Sequence, residues 1–144
     1  MSVERSSLSS LRVRACEPQM RKQYHFRPSK RGLLAWDVDR LITLTATYPR
    51  RHILLVEIRE LDEPFWFAMG ESPTCRAVAD HARLIEAADL SFPIILSCDG
   101  SVMDGMHRVA KAVLLRRATI EAVQFTDDPE PDYVGLYPDE LPYE

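Results

Sequence analysis

F-P-I-I-L-S-C-D-G-S-V-M-D-G-M-H-R-V-A-K-A-V, residues 92 to 113, carries the fold in its order. Phe92 to Cys98 is an apolar run of strand length, Asp99-Gly100 is a two-residue hairpin signal, and Ser101 to Asp104 is predicted to pair back. From Gly105 the period changes. Met106, Val109, Ala110, Val113 and Leu114 recur at helical spacing up to Arg117, and Arg116-Arg117 stand at the negative end of that helix dipole. Strand, hairpin and helix therefore follow within 26 residues, and Thr119 to Phe125 is predicted to return as another strand.

Upstream, His52 to Leu61 opens with a buried-strand run and closes with alternation, which predicts a strand with Val56 and Ile58 on one face and Glu57 and Arg59 on the other. Asp37 reads as the N-cap of a short helix through Val38, Leu41, Ile42 and Thr45, ended by Tyr48-Pro49. Asp62-Glu63-Pro64 is a turn, and Phe65 to Met69 is a brief strand or an aromatic loop. Ser72-Pro73 reads as a cap and first position of the longest helix, with an apolar stripe through Val78, Ala82, Leu84, Ile85 and Ala88. Residues 1 to about 30 read as an arm with some helix near Leu8 to Cys16. The order predicts an α+β domain over residues 32–125, between an N-terminal arm (1–31) and a C-terminal tail (126–144).

Charge sharpens those boundaries. Residues 1–31 hold 8 Lys/Arg and 2 Asp/Glu, residues 32–125 hold 10 and 13, and residues 126–144 hold 0 and 7. The formal net charge of -4 is therefore the sum of a basic arm and an acidic tail. Such an arm meets nucleic acid or an acidic surface, or else the acidic tail of its own chain. Tyr133, Leu136, Tyr137, Leu141 and Tyr143 are placed to pin the tail down. No apolar stretch reaches the roughly 18 residues of a membrane span. Three cysteines without paired spacing, and no signal-peptide pattern at the start, predict a soluble cytoplasmic chain with free thiols, each cysteine a small buried residue.

The residues best suited to chemistry lie where the hairpin meets the helix: Asp104, Gly105, Met106, His107 and Arg108. A helix start presents backbone N–H groups without internal partners, and its dipole favours an anion. Gly105 admits close approach to the backbone, and His107 and Arg108 add side-chain donors. Cations in a first turn run against the dipole, which a bound phosphate would explain. Alternatively, Asp104 merely caps the helix and the two side chains are solvated. His25, His52 and His81 show no partner at ligand or triad spacing and read as ordinary polar positions. Trp36, Phe65, Trp66 and Phe67 read as core, with an aromatic after Asp62 able to stack on a base.

With Pro93-Ile94-Ile95-Leu96, Asp99-Gly100, the run Met103 to Ala112 and Thr119 to Val123 in view, the chain resembles the ParB N-terminal/sulfiredoxin superfamily over about 70 residues. The resemblance implies a small mixed sheet with packed helices, and a G-x-[HR]-R turn that binds nucleotide phosphates. It therefore implies phosphate contacts from Gly105, the Met106 backbone, His107 and Arg108. Sulfiredoxins carry a G-G-C-H-R turn with a nucleophilic Cys. Met106 stands there in this chain and cannot form the thiolate, which excludes that activity. Ile58-Arg59-Glu60-Leu61 is similar to the I-R-P-L of sulfiredoxins and makes Arg59 a second clamp. Arg76, at the start of the long helix, matches a phosphate-binding Lys, while the Ser and Thr that follow it in sulfiredoxins have no counterparts. Arg83 is a weaker candidate on the same face.

Partition proteins of the ParB type bind CTP at a G-E-R-R turn and continue into DNA-binding and dimerisation domains, for which the 36 residues after the turn leave no room. The D-G-x-H-R turn is nearest to that of ADP-dependent free serine kinases, which use an acid just past the first strand as base. Glu60, Asp62 and Glu63 are the corresponding candidates, with Glu57 and Glu71 nearby. The resemblance thus implies binding of ATP, ADP or CTP, with Mg²⁺ for which Asp104 is a candidate ligand. It implies a phosphotransferase or nucleoside triphosphatase acting on a small hydroxyl-bearing substrate, or else a non-catalytic, nucleotide-responsive or DNA-associated module.

Overall fold

The computed structural model describes residues 22–67 and 72–143. Over these residues it is an α+β structure with three α-helices and two sheets. The helix expected near Leu8 to Cys16, Cys16 itself and the segment 68–71 with Glu71 lie outside the described residues. Among the described residues no helix is long and apolar enough to cross a membrane.

By contacts the chain forms two units, one of residues 1–43 and 130–144 and one of residues 44–129. In the first, β1 (Tyr24–Ser29) pairs antiparallel with β2 (Gly32–Asp37), and β2 pairs antiparallel with β7 (Tyr133–Val134). β1 falls in the stretch expected as an irregular arm. Tyr24 explains its order: its ring meets those of Phe26, Tyr133 and Tyr143 at 6.1, 6.0 and 5.3 Å, and its hydroxyl donates to the Pro142 carbonyl. Tail aromatics thus pack on β1, as their spacing led us to expect of a pinned tail. Asp132 accepts from the Asp37 backbone N–H at 2.8 Å and from Arg40 at 3.1 Å. Lys22, two residues before β1, pairs with Asp37 at 2.9 Å. α1 (Val38–Thr45) starts where predicted, with Asp37 Oδ1 accepting the Asp39 N–H.

The second unit is built on a mixed four-stranded sheet in the order β3–β6–β4–β5. β3 (Arg51–Leu54) is antiparallel to β6 (Thr119–Gln124), β6 runs parallel to β4 (Ile94–Leu96), and β4 is antiparallel to β5 (Val102–Asp104). Gly100, at φ 90°, closes the β4–β5 turn at the predicted place. α3 (Met106–Leu114) buries Met106, Val109 and Ala112 against Ile94, Leu96, Ile120 and Ala122.

The strand expected from His52 to Leu61 stops at Leu54. Leu55 N–H bonds to the Ala118 carbonyl, just before β6 begins, so the ladder ends there. The chain continues as two 3₁₀ turns, Leu55–Glu57 and Arg59–Asp62. With three residues per turn, positions i, i+3 and i+6 share a face, which buries Leu55 and Ile58 and lays Leu61 on the core. Val56 consequently lies 89% exposed, and the predicted Val56/Ile58 face does not exist. Phe65 to Phe67 form turns rather than a strand.

α2 (Cys75–Ala87) is capped by Thr74, whose Oγ1 accepts from Ala77 N–H at 3.0 Å, two residues later than expected. Its inward face is also different. Val78 and Leu84 are exposed, whereas Ala77, His81, Ile85 and Ala88 are half-buried at spacings of four, four and three. Cys75 and Cys98 are exposed free thiols rather than buried residues.

α3 ends with Arg116 N–H on Val113 O and Arg117 N–H on Ala112 O, both at 3.0 Å, which places Arg116 in the left-handed region at φ 59°. Glycine is preferred at that position. Arg116→Gly is expected to stabilise the fold by about 1 kcal/mol, read as a higher urea midpoint at constant slope.

Candidate functional site

β5 delivers the chain to α3 through Gly105, which sits at φ 112° as the N-cap, with no side chain capping the helix start. A Cβ there would meet Ile94 Cγ2 at 2.6 Å and Arg108 Nη2 at 2.9 Å. Glycine is required twice over, by backbone conformation and by space. The backbone N–H groups of Met106, His107 and Arg108 open the helix, and the Met106 side chain is buried in the core.

Arg108 turns back onto its own strand. Its Nη2 donates to Asp104 Oδ2 at 3.0 Å and to the Pro93 carbonyl at 3.2 Å, while its buried Nε has no partner. Asp104 Oδ2 therefore balances the cation in the first turn, and Asp104 does not cap α3. Among the described residues no group of three or more His, Cys, Asp or Glu converges on a metal position.

His107 has a partner that sequence spacing does not reveal. Its Nε2 lies 2.9 Å from His81 Nδ1 on α2, one ring donating and the other accepting. The Trp66 indole lies over both imidazoles, with centroids 4.4 Å from His81 and 4.5 Å from His107 and planes within 14° and 12°. Phe67 meets His81 edge-on at 5.3 Å. Burial lowers the His107 pKa to about 4, assisted by His81 and the Arg108 charge. Burial also lowers that of His81, against the pull of Asp80. Both rings are neutral at pH 7, so His107 brings no positive charge to the helix start.

His81 was read from sequence as an ordinary polar position, and the structure corrects this. The available signal was its place four residues after Ala77 and four before Ile85, on one helical stripe. The partner lies 26 residues away and becomes visible only when α2 packs on α3.

That packing also orients the other candidates. His81 meets His107, and Lys111 Nζ donates to the carbonyls of Glu86 and Ala88 at 2.9 and 2.7 Å, so the two helices run in the same direction. Arg76 lies five residues, about 7 Å of helix rise, before His81 on α2. Arg76 and Arg59 are exposed and make no ion pair with the described residues, and Arg83 pairs with Asp80 at 3.3 Å on the surface. Among the candidate bases, Asp62 and Glu63 are exposed, while Glu60 is 8% exposed. Glu60 Oε2 accepts the Val102 N–H at 2.9 Å, and its buried Oε1 has no partner.

The structure thus brings together Asp104, Gly105, His107 and Arg108 with Trp66, one of the aromatics read as core or as able to stack on a base, and with His81, which sequence reasoning left out of the site. Arg59, Arg76, Asp62 and Glu63 make no hydrogen bond or ion pair with that group. No protein-family model matches this chain, and neither a curated protein nor a solved structure matches it.

Proposed function

We propose that this chain is a ParB/sulfiredoxin-like protein that binds the phosphates of ATP, ADP or CTP, with Mg²⁺, at the start of α3. The observation that carries this reading is the Gly105 turn: a left-handed glycine, packed too tightly for any Cβ, opening a helix that no side chain caps. The backbone donors of Met106, His107 and Arg108 supply the anion contacts, and the unpartnered Arg108 Nε is a further donor beside them. His107 contributes as a neutral hydrogen-bonding ring. Arg76 and Arg59 are unpaired cations available to a polyphosphate, and metal would arrive with the nucleotide. Phosphoryl transfer to a small hydroxyl-bearing acceptor, or hydrolysis, is the corresponding activity, with Glu60, Asp62 or Glu63 as base.

A non-catalytic, nucleotide-responsive module is the second reading, with nucleic acid as a partner for the basic arm. It is favoured by one observation: Glu60, the buried candidate base, commits an oxygen to the Val102 backbone. Calorimetric titration with each nucleotide and Mg²⁺ tests binding. We expect saturation below millimolar ligand and at least a tenfold loss in Arg108→Ala, with circular dichroism showing that the variant stays folded. No heat from any of the three at millimolar concentration rejects the proposal. Release of phosphate, or its transfer to serine, separates enzyme from module.

A further inference from the structure

At the opposite end of α3 lies a cavity of about 370 Å³ within the second unit, whose lining includes His52, Leu90, Arg117, Thr119 and Glu121. β3 and β6 set its polar wall. His52 stands across from Glu121 in the antiparallel register, and its Nδ1 lies 3.4 Å from Thr119 Oγ1. Thr119 and Glu121 are two apart on β6 and so share a face of the sheet.

The apolar side is held in place by Arg50. Its guanidinium donates to the Ser91 carbonyl at 2.9 Å and to Glu121 Oε1 at 3.3 Å, tying the turn that carries Leu90 to β6. Asp89 Oδ1 accepts from the Ser91 backbone N–H at 2.9 Å and its hydroxyl at 2.7 Å, which rigidifies the same turn.

Arg50 is paired with Glu121, but the Arg117 guanidinium makes no hydrogen bond or ion pair with the described residues. Its backbone is nonetheless fixed, because the N–H bonds Ala112 O and the preceding Arg116 is held at φ 59°. An unpaired cation thus lies on the lining of the cavity.

We propose that this cavity binds a small monocarboxylate with an apolar tail. The Arg117 guanidinium takes the carboxylate, the Thr119 hydroxyl and the His52 imidazole add hydrogen bonds, and Leu90 contacts the tail. Glu121 sets the charge limit. Its carboxylate opposes a doubly charged phosphate more strongly than a singly charged carboxylate, and Arg50 only offsets this. The site lies at the far end of α3 from Gly105 and stands independently of the nucleotide reading.

Titration of the ¹⁵N-labelled full chain with butyrate tests it. Saturable shifts are expected at the amides of Ala118 to Glu121, with at least a tenfold weaker response in Arg117→Ala and a severalfold weaker one in Thr119→Val. Butyramide, which has the tail without the charge, is expected to leave these amides unmoved. Absence of saturable shifts overturns the proposal, as do equal responses to butyramide or an Arg117→Ala variant that binds like wild type. Tighter binding of inorganic phosphate than of butyrate overturns the carboxylate assignment. Gly105→Ala, where it remains folded, is expected to bind butyrate normally, and Arg117→Ala to bind nucleotide normally.

Discussion

Gly105→Ala is expected to destabilise the protein by about 3–5 kcal/mol, the largest effect of a Cβ added at any of the described glycines. Two costs combine. At φ 112° an alanine meets its own carbonyl environment unfavourably, which accounts for about 1–2 kcal/mol. The new methyl also lies 2.6 Å from Ile94 Cγ2 and 3.0 Å from Ile94 Cβ, and Ile94 is fully buried at the centre of the sheet. Arg108 Nη2 at 2.9 Å can swing away, but β4 cannot without opening the core. Urea unfolding measures this directly. A loss below about 1 kcal/mol would mean that the β5–α3 turn relaxes freely, and the argument that glycine is required for space would fail.

Acidification is expected to weaken the fold between pH 6.5 and about 4, before most carboxylates are protonated. The sign follows from the imidazoles. The folded His107 holds its pKa near 4 because it is buried, with His81 and the Arg108 charge also opposing its protonation, whereas the unfolded chain takes up a proton near 6.5. The unfolded state therefore binds more protons throughout this window. The stabilisation is full above pH 6.5 and is lost as pH falls through the window. After discounting for the solvent-facing part of the ring, the loss is on the order of 2 kcal/mol. A second proton would also set two N–H donors against each other across 2.9 Å. Chemical unfolding at pH 7 and pH 4.5 checks this, with His107→Gln expected to flatten the difference. An unchanged pH dependence in that variant would remove the pair from the account. Because Trp66 stacks on both rings, its fluorescence is expected to change in the same window.

Part of this architecture was legible along the chain. The Asp99-Gly100 turn, the glycine before α3 and the positions Met106 and Val109 on its apolar stripe are local signals that the structure realises, but Val113 and Leu114, expected on the same stripe, are 45% and 71% exposed and Ala112 is buried instead. The Asp37 cap of α1 is equally local. Elsewhere the local signal misled because two conformations share it. An apolar run from Ile53 to Leu61 is compatible with a strand of period two and with 3₁₀ turns of period three. The choice was made by β6, which begins at Thr119 and leaves residues after Leu54 no strand to pair with. α2 misled in the same way, since Val78, Ala82 and Ile85 have a helical period, yet the stripe facing α3 runs through Ala77, His81 and Ile85.

The sequence alone determined that the chain would be α+β and that a glycine would join β5 to α3. Both depend on neighbours a few residues apart, whose hydrogen bonds and periodicity are written in order. Only the tertiary structure decided what surrounds that glycine. Arg108 turns to Asp104 and Pro93, His107 finds His81 across 26 residues, and Trp66 covers both rings. These contacts arise when separate elements are packed together, so burial, rather than spacing along the chain, sets the charge and hydrogen-bonding state of the site.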